Sequence, residues 1–171
     1  MAKIVRGLVE GIGISNTLPE NPKYFTEEAI AETVVIPKQK PDMEQLLSIM
    51  EDIEVISVKA ISTPVTTSHE GQKLQGSKLL IEIKLRQKIK YVADEARQSV
   101  HAAHFEIFKS IFIVVPTIPP GQIAPFKTVA QLLKEGRVIV TPYIEDIYGE
   151  MRDKRTIFKN TLVFIDVTFK L

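Results

Sequence analysis

The chain has 171 residues, 44% hydrophobic and 25% charged; 22 Lys plus Arg against 21 Asp plus Glu leave a net charge of +1. That length suits one domain, which buries roughly two-thirds of its unfolded surface and needs no metal or disulfide to fold. The absence of cysteine excludes disulfide scaffolds, thiolate zinc sites and cysteine nucleophiles, and the near-neutral charge argues against a general nucleic-acid binder.

The opening segment MAKIVRGLVEGIGIS is interrupted by a charge or a glycine every few residues. It lacks the apolar run of a signal peptide, and no stretch of the chain is long enough to span a membrane. Lys3 to Ser15 is apolar and glycine-spaced, with Gly7, Gly11 and Gly13 weakening any helix, so an extended arm or strand is expected. Asn16 to Tyr24 is a proline-containing loop, and Ala29 to Ile36 a strand stopped by Pro37. Pro41 to Glu51 has the marks of a first short helix: Pro41 in the first turn, Asp42 and Glu44 at the positive end, and a stripe of Leu46, Leu47 and Met50. Ile53 to Ile61 is strand-like, and Pro64 to Gly76 a polar loop.

The clearest signal follows. In Leu79 to Tyr91, Leu79, Ile81, Ile83, Leu85, Ile89 and Tyr91 alternate with Glu82, Lys84, Arg86, Lys88 and Lys90, a period of two with one buried and one basic face. A strand of ~40 Å is expected to bend or bulge, with Gln87 the candidate position. Ser99 to Val115 is a second long strand whose apolar phase slips near Phe108 and Lys109, suggesting a bulge or break there. Pro116 to Pro125 is a proline-rich turn, and Thr128 to Glu135 a second short helix ended by Gly136. Val138 to Tyr148 and Ile157 to Leu171 complete the strands. About seven to nine strands that do not alternate with long helices predict a mainly β fold, an antiparallel sandwich or strongly curled barrel with two short helices.

Sites with chemistry are few. His101 and His104 lie three apart with Glu106 beyond; on a strand they point to opposite faces, so no metal site is expected. Glu145, Asp146, Glu150 and Asp153 lack the spacing of a calcium loop and lie beside Arg152, Lys154 and Arg155, so ion pairing at a hairpin end is expected. A hydrolase or metal enzyme built on His101, His104, Glu145 and Asp146 is the disfavoured third reading. The row Lys84, Arg86, Lys88 and Lys90 could hold an anion or a partner, or form a solvated face or a guarded edge. No phosphate loop, nucleophile elbow or zinc-protease motif is present.

Five segments in register carry a resemblance: VVIPKQKPDMEQLLSI (Val34 to Ile49), IEVISVKAISTPV (Ile53 to Val65), EGQKLQGSKLLIEIKLRQKIKYVAD (Glu70 to Asp94), QSVHAAHFEIFKSIFIVVP (Gln98 to Pro116) and PYIEDIYGEMRDKRTIFKN (Pro142 to Asn160). In order and spacing they resemble the SPOCS domain of the spore-morphogenesis protein SipL and of many small proteins of endospore-forming bacteria. The resemblance covers Val34 to Val167. It implies a non-enzymatic, cofactor-free module of spore coat or exosporium assembly, made in the mother-cell cytoplasm and binding other envelope proteins. SipL-like proteins carry a C-terminal LysM module that contacts the coat's morphogenetic ATPase; here the chain stops at Leu171, so that partnership does not carry over.

The expected organisation is therefore an N-terminal arm and loop over residues 1–32 and a SPOCS-like all-β domain over 33–171. The expected role is a self-associating structural subunit, with no nucleic acid bound and no membrane insertion. Two apolar chain ends are the expected sites of β-addition: Ile4, Val5, Leu8, Val9, Ile12 and Ile14 in the arm, and Val163, Ile165, Val167 and Phe169 in the last strand. Deletion of residues 1–16 is then expected to spare the fold and reduce the assembly state. The alternative is a monomeric adaptor that binds another coat protein or an anionic glycan through Lys84 to Lys90.

Overall fold

The computed structural model describes residues 2–6, 9–71, 73–74 and 76–171, and of residues 4–6, 73 and 74 the backbone alone. The strands are β1 (Ala2–Arg6), β2 (Val9–Ile14), β3 (Tyr24–Val35), β4 (Met43–Ser62), β5 (Thr66–Thr67), β6 (Lys73–Leu74), β7 (Ser77–Ala93), β8 (Val100–Val114), β9 (Val138–Met151) and β10 (Thr156–Phe169), with one helix, α1 (Val129–Lys134). A five-stranded sheet in the order β1-β2-β4-β7-β8 faces a three-stranded sheet in the order β3-β10-β9, and β5 and β6 form a small ribbon in the polar loop. The fold is thus mainly β and sandwich-like, with no closed barrel.

The alternation in β7 produces this architecture. Leu79, Ile81, Ile83, Leu85, Ile89 and Tyr91 are all fully buried. They face the odd-numbered residues of β10, among which Ile157, Val163, Ile165 and Val167 belong to the same core. Burial of each such side chain contributes about 1.5–3 kcal/mol. β7 bonds antiparallel to β4 on one side and β8 on the other, so it lies inside the sheet and is not a guarded edge.

Three expectations are corrected here. Pro41 to Glu51 is not a helix, because β4 runs unbroken from Met43. Its register shifts at Met43/Gln45 and at Leu46/Ser48, and each bulge adds a residue. The inward positions opposite Ala93, Tyr91, Ile89 and Gln87 are then Met43, Leu46, Ile49 and Glu51. Steps of three, three and two imitate a helical stripe. Second, β7 does not bulge at Gln87, since the irregularities lie in β4. Third, β8 shows neither bulge nor break: all fifteen of its residues pair with β7 without a register shift. The apparent slip arises because Lys109 occupies the inward row while Phe108 and Phe112 point outward.

The other helix matches its expectation. Thr128 caps α1 in a reciprocal capping box with Gln131, and Gly136 follows at φ +68°. Arg155, in the β9–β10 hairpin, gathers the chain between β3 and β4. Its guanidinium donates to the carbonyls of Ile36 (3.0 Å), Pro37 (2.7 Å) and Lys40 (3.2 Å) and pairs with Asp42. The Tyr91 hydroxyl donates to Pro41 O (3.0 Å) from the opposite sheet.

The proposed division at residues 32/33 falls inside β3, which pairs with β10 from Tyr24 to Val35. The arm belongs to the sandwich. β2 pairs parallel with β4 over Glu10 to Ile12, and Ser15 exchanges hydrogen bonds with Ile144 of β9 (N–H to Ile144 O 2.8 Å; Ile144 N–H to Ser15 Oγ 3.1 Å). At Gly13, φ is +114° and a Cβ would lie 2.0 Å from the Glu51 carbonyl oxygen, so only glycine lets β2 run this close to β4.

Candidate interaction surface

The outer face of the five-stranded sheet divides into a charged half and an apolar half. In the charged half, Lys84 bonds to Glu106 (3.0 Å) and lies 5.5 Å from the centroid of the Phe108 ring. Arg86 reaches Glu54 (2.5 Å), Asp52 (3.4 Å) and Glu106 (3.9 Å). Two of the four residues of the basic row, Lys84 and Arg86, are therefore answered by carboxylates of β4 and β8. Lys88 and Lys90 share this face, with His104 and Ala102 opposite them on β8. An anionic polymer would have to displace Glu54, Asp52 and Glu106 from Lys84 and Arg86, at little net gain for solvent-exposed pairs.

The apolar half lies at the other end of the same strands. Phe112 is directly opposite Leu80, and Val114 opposite Lys78, whose neighbour on β4 is Ile61. Phe108 and Phe112 are 54% and 55% exposed, and Leu80, Val114, Ile61 and Ile56 are also exposed. Outward-facing side chains two residues apart on neighbouring strands are contiguous, so Phe112, Leu80, Val114 and Ile61 form one patch, with Phe108 beyond Ser110 on β8 and Ile56 at the β4 bulge on its margin. Soluble monomers seldom leave such a patch uncovered.

The strand edges behave differently. β1 and β8 end the larger sheet, β3 and β9 the smaller. Two of these edges carry charge in the inward row: Lys109 on β8, and Glu28 and Glu32 on β3. Inward charge on an edge strand opposes addition of another strand, because pairing would bury it.

The residues singled out in the sequence fall as follows. Ile4 and Val5 lie in β1, their side chains outside the described residues, as is Leu8 altogether. Val9 and Ile12 are half-buried, and Ile14 is in the core. β10 is the central strand of its sheet, paired on both sides, and Val163, Ile165 and Val167 are buried within the sandwich. Phe169 is half-buried, edge-on to Tyr24 at 5.4 Å. At the C-terminal end the expected β-addition is therefore corrected, because β10 is paired on both sides and its apolar side chains fill the core; at the N-terminal end β1, which holds Ile4 and Val5, pairs with β2 alone and ends its sheet. His101 stacks against Tyr91 (5.9 Å) while His104 lies on the outer face, so the two do point apart. Glu145 and Asp146 are on β9, in the other sheet, and burial together with the nearby Glu27 raises the Glu145 pKa. Arg152 pairs with Glu150 (2.7 Å) in the hairpin as expected, whereas Lys154 reaches out to Asp94 (2.5 Å). Among the described residues no group of three or more His, Asp or Glu could hold a metal ion, and no helix is long and apolar enough to cross a membrane.

One cluster escaped the sequence reading. Lys159 of β10 is fully buried between the sheets. Its Nζ lies 2.7 Å from Glu51 Oε1 and 3.3 Å from Glu32 Oε2, while Thr161 Oγ1 donates to Glu51 Oε2 (2.6 Å) and Gln87 Nε2 to Glu32 Oε2 (2.8 Å). The available signal was a polar residue in the inward row of each of four strands: Glu32, Glu51, Gln87 and Lys159. Comparisons with protein-family models, curated proteins and solved structures found no match to this chain.

Proposed function

We propose that this protein is a non-enzymatic structural subunit of the bacterial spore envelope that associates with copies of itself through the outer face of its five-stranded sheet. The observation that carries self-association is the exposed patch of Phe112, Leu80, Val114 and Ile61, flanked by the exposed Phe108 and Ile56. A second copy suits it because the chain is almost neutral, so copies repel each other little. Inward charge on β8 and β3 disfavours strand addition at those two edges. The spore setting, with synthesis in the mother cell, deposition in coat or exosporium and other envelope proteins as partners, is supported by the resemblance of Val34 to Val167 to the SPOCS domain.

Size-exclusion chromatography with light scattering tests the first part. The intact chain is expected above monomer mass, and Phe108→Ser/Phe112→Asp is expected to be monomeric with an unchanged circular dichroism spectrum. A strict monomer over the full accessible concentration range would favour the adaptor alternative. A fluorescent fusion in a sporulating endospore former tests the second part: it is expected to encircle the developing spore.

A further inference from the structure

A cleft of about 350 Å³ opens at one end of the three-stranded sheet. Its walls include Pro19 and Pro22 from the loop before β3, Pro119 and Pro120 from the proline-rich turn, and the half-buried rings of Tyr24 and Phe169, packed edge to face at 5.4 Å. Prolines hold their backbone at a fixed φ, so these walls are largely preformed. Glu20 and Lys23 bring one charge of each sign to the lining.

Asp166 also lies in the wall. It occupies the outward row of β10, between Phe164 and Thr168, yet is only 7% exposed. The Val167 backbone N–H donates to its carboxyl, but Oδ1 has no hydrogen-bond partner among the described residues. Burial pushes its pKa above the usual aspartate range, with the Val167 hydrogen bond opposing. An unanswered carboxylate in an apolar wall costs stability, and replacement by a neutral isostere would relieve that cost. Such a cost is characteristic of a group retained to meet a ligand.

We propose that this cleft binds a primary ammonium group carried on an alkyl chain, with Asp166 as its counter-ion. The chemistry fits part by part. The Asp166 carboxylate in the wall can serve as the counter-ion of an ammonium group. The prolines cover methylenes. The rings of Tyr24 and Phe169 present π electrons to a cation entering beside them. A lysine side chain of a partner protein and a free alkylamine both have this chemistry.

The test uses the full-length chain, with ligand-observed NMR titrations of n-pentylammonium, 1-pentanol, and blocked lysine (Nα-acetyl-lysine N-methylamide) with and without Nε-acetylation. Saturable binding of pentylammonium is expected, with the alcohol weaker by about tenfold or more. Blocked lysine binding as well as the free amine would identify a protein side chain as the source; binding of pentylammonium alone would identify a small amine. Loss of binding on Nε-acetylation is expected wherever lysine binds, a comparison made in the unaltered protein. Asp166→Asn is expected to weaken amine binding by a similar factor while melting at the same or a higher temperature. Equal affinity for amine and alcohol, undiminished binding in Asp166→Asn, or no saturable amine binding in the millimolar range would overturn the assignment. So would a fall in the melting temperature of Asp166→Asn, which would make the carboxylate structural.

Discussion

Lys159 shows what one residue costs in a sandwich core. An ammonium with no exposed surface must be answered fully, and it is, by Glu51 at 2.7 Å and Glu32 at 3.3 Å. Glu51 is in turn held by Thr161, and Glu32 by Gln87. The cluster joins β4 and β7 of one sheet to β3 and β10 of the other. Removing one member strands the others: Lys159→Met is expected to lower stability by about 3–5 kcal/mol in urea unfolding. Replacing the central pair together, Lys159→Met with Glu51→Leu, is expected to recover a large part of that loss, because an apolar pair of similar volume carries no desolvation penalty. If Lys159→Met unfolds at the same urea midpoint as the parent, the cluster does not hold the sheets together. The residues that form it were visible in the sequence only as interruptions of apolar rows. Gln87 broke the row of β7 and suggested a bulge, because a single strand cannot show that a polar side chain has partners across the sandwich.

At the scale of the element, β7 was readable because both its neighbours run past it without disturbing its own alternation. β4 was not, because its bulges are set by pairing with β7 and leave a helix-like spacing in the sequence. β8 was half readable, since Lys109 stands in an inward row at an unpaired edge, a tertiary circumstance. The contrast between adjacent positions of β7 can be tested directly. Ile83 is fully buried, so Ile83→Asp places a carboxylate in the core at a cost of several kcal/mol and is expected to unfold or insolubilise the protein. Lys84→Asp loses a part-buried pair with Glu106 and faces Glu54 across the β4 ladder. Its expected cost is only about 1 kcal/mol. Thermal melts of the two variants check this, and similar melting temperatures would contradict the observed burial of alternate residues.

For the whole molecule, the decisive feature is how the N-terminal segment joins the sandwich. The sequence marks it as apolar and extended, which the structure bears out. Whether such a strand pairs at home or with a neighbour depends on a vacant edge elsewhere in the fold, and no local pattern records that. Here β4 provides the edge. Glu10, Gly11 and Ile12 pair with Ser48, Ile49 and Met50, and Ser15 ties β2 to Ile144 of the other sheet. Ile14 lies in the core at 6% exposure, and Gly11 packs close enough to β9 that a Cβ would meet the Ile147 oxygen at 3.1 Å. Deletion of residues 1–16 would remove Ile14, open this side of the sandwich and expose the β4 edge at Ser48 to Met50. Loss of the Ile14 side chain alone is worth about 2–5 kcal/mol, a large fraction of the ~5–15 kcal/mol that holds a domain together. The truncated chain is therefore expected to be strongly destabilised or insoluble, with a urea midpoint well below that of the full chain. Assembly is expected to fail in it only as a consequence of unfolding. A truncated protein that kept the parent's midpoint would show that β2 is dispensable to the core, returning the arm to the role of a contact between subunits.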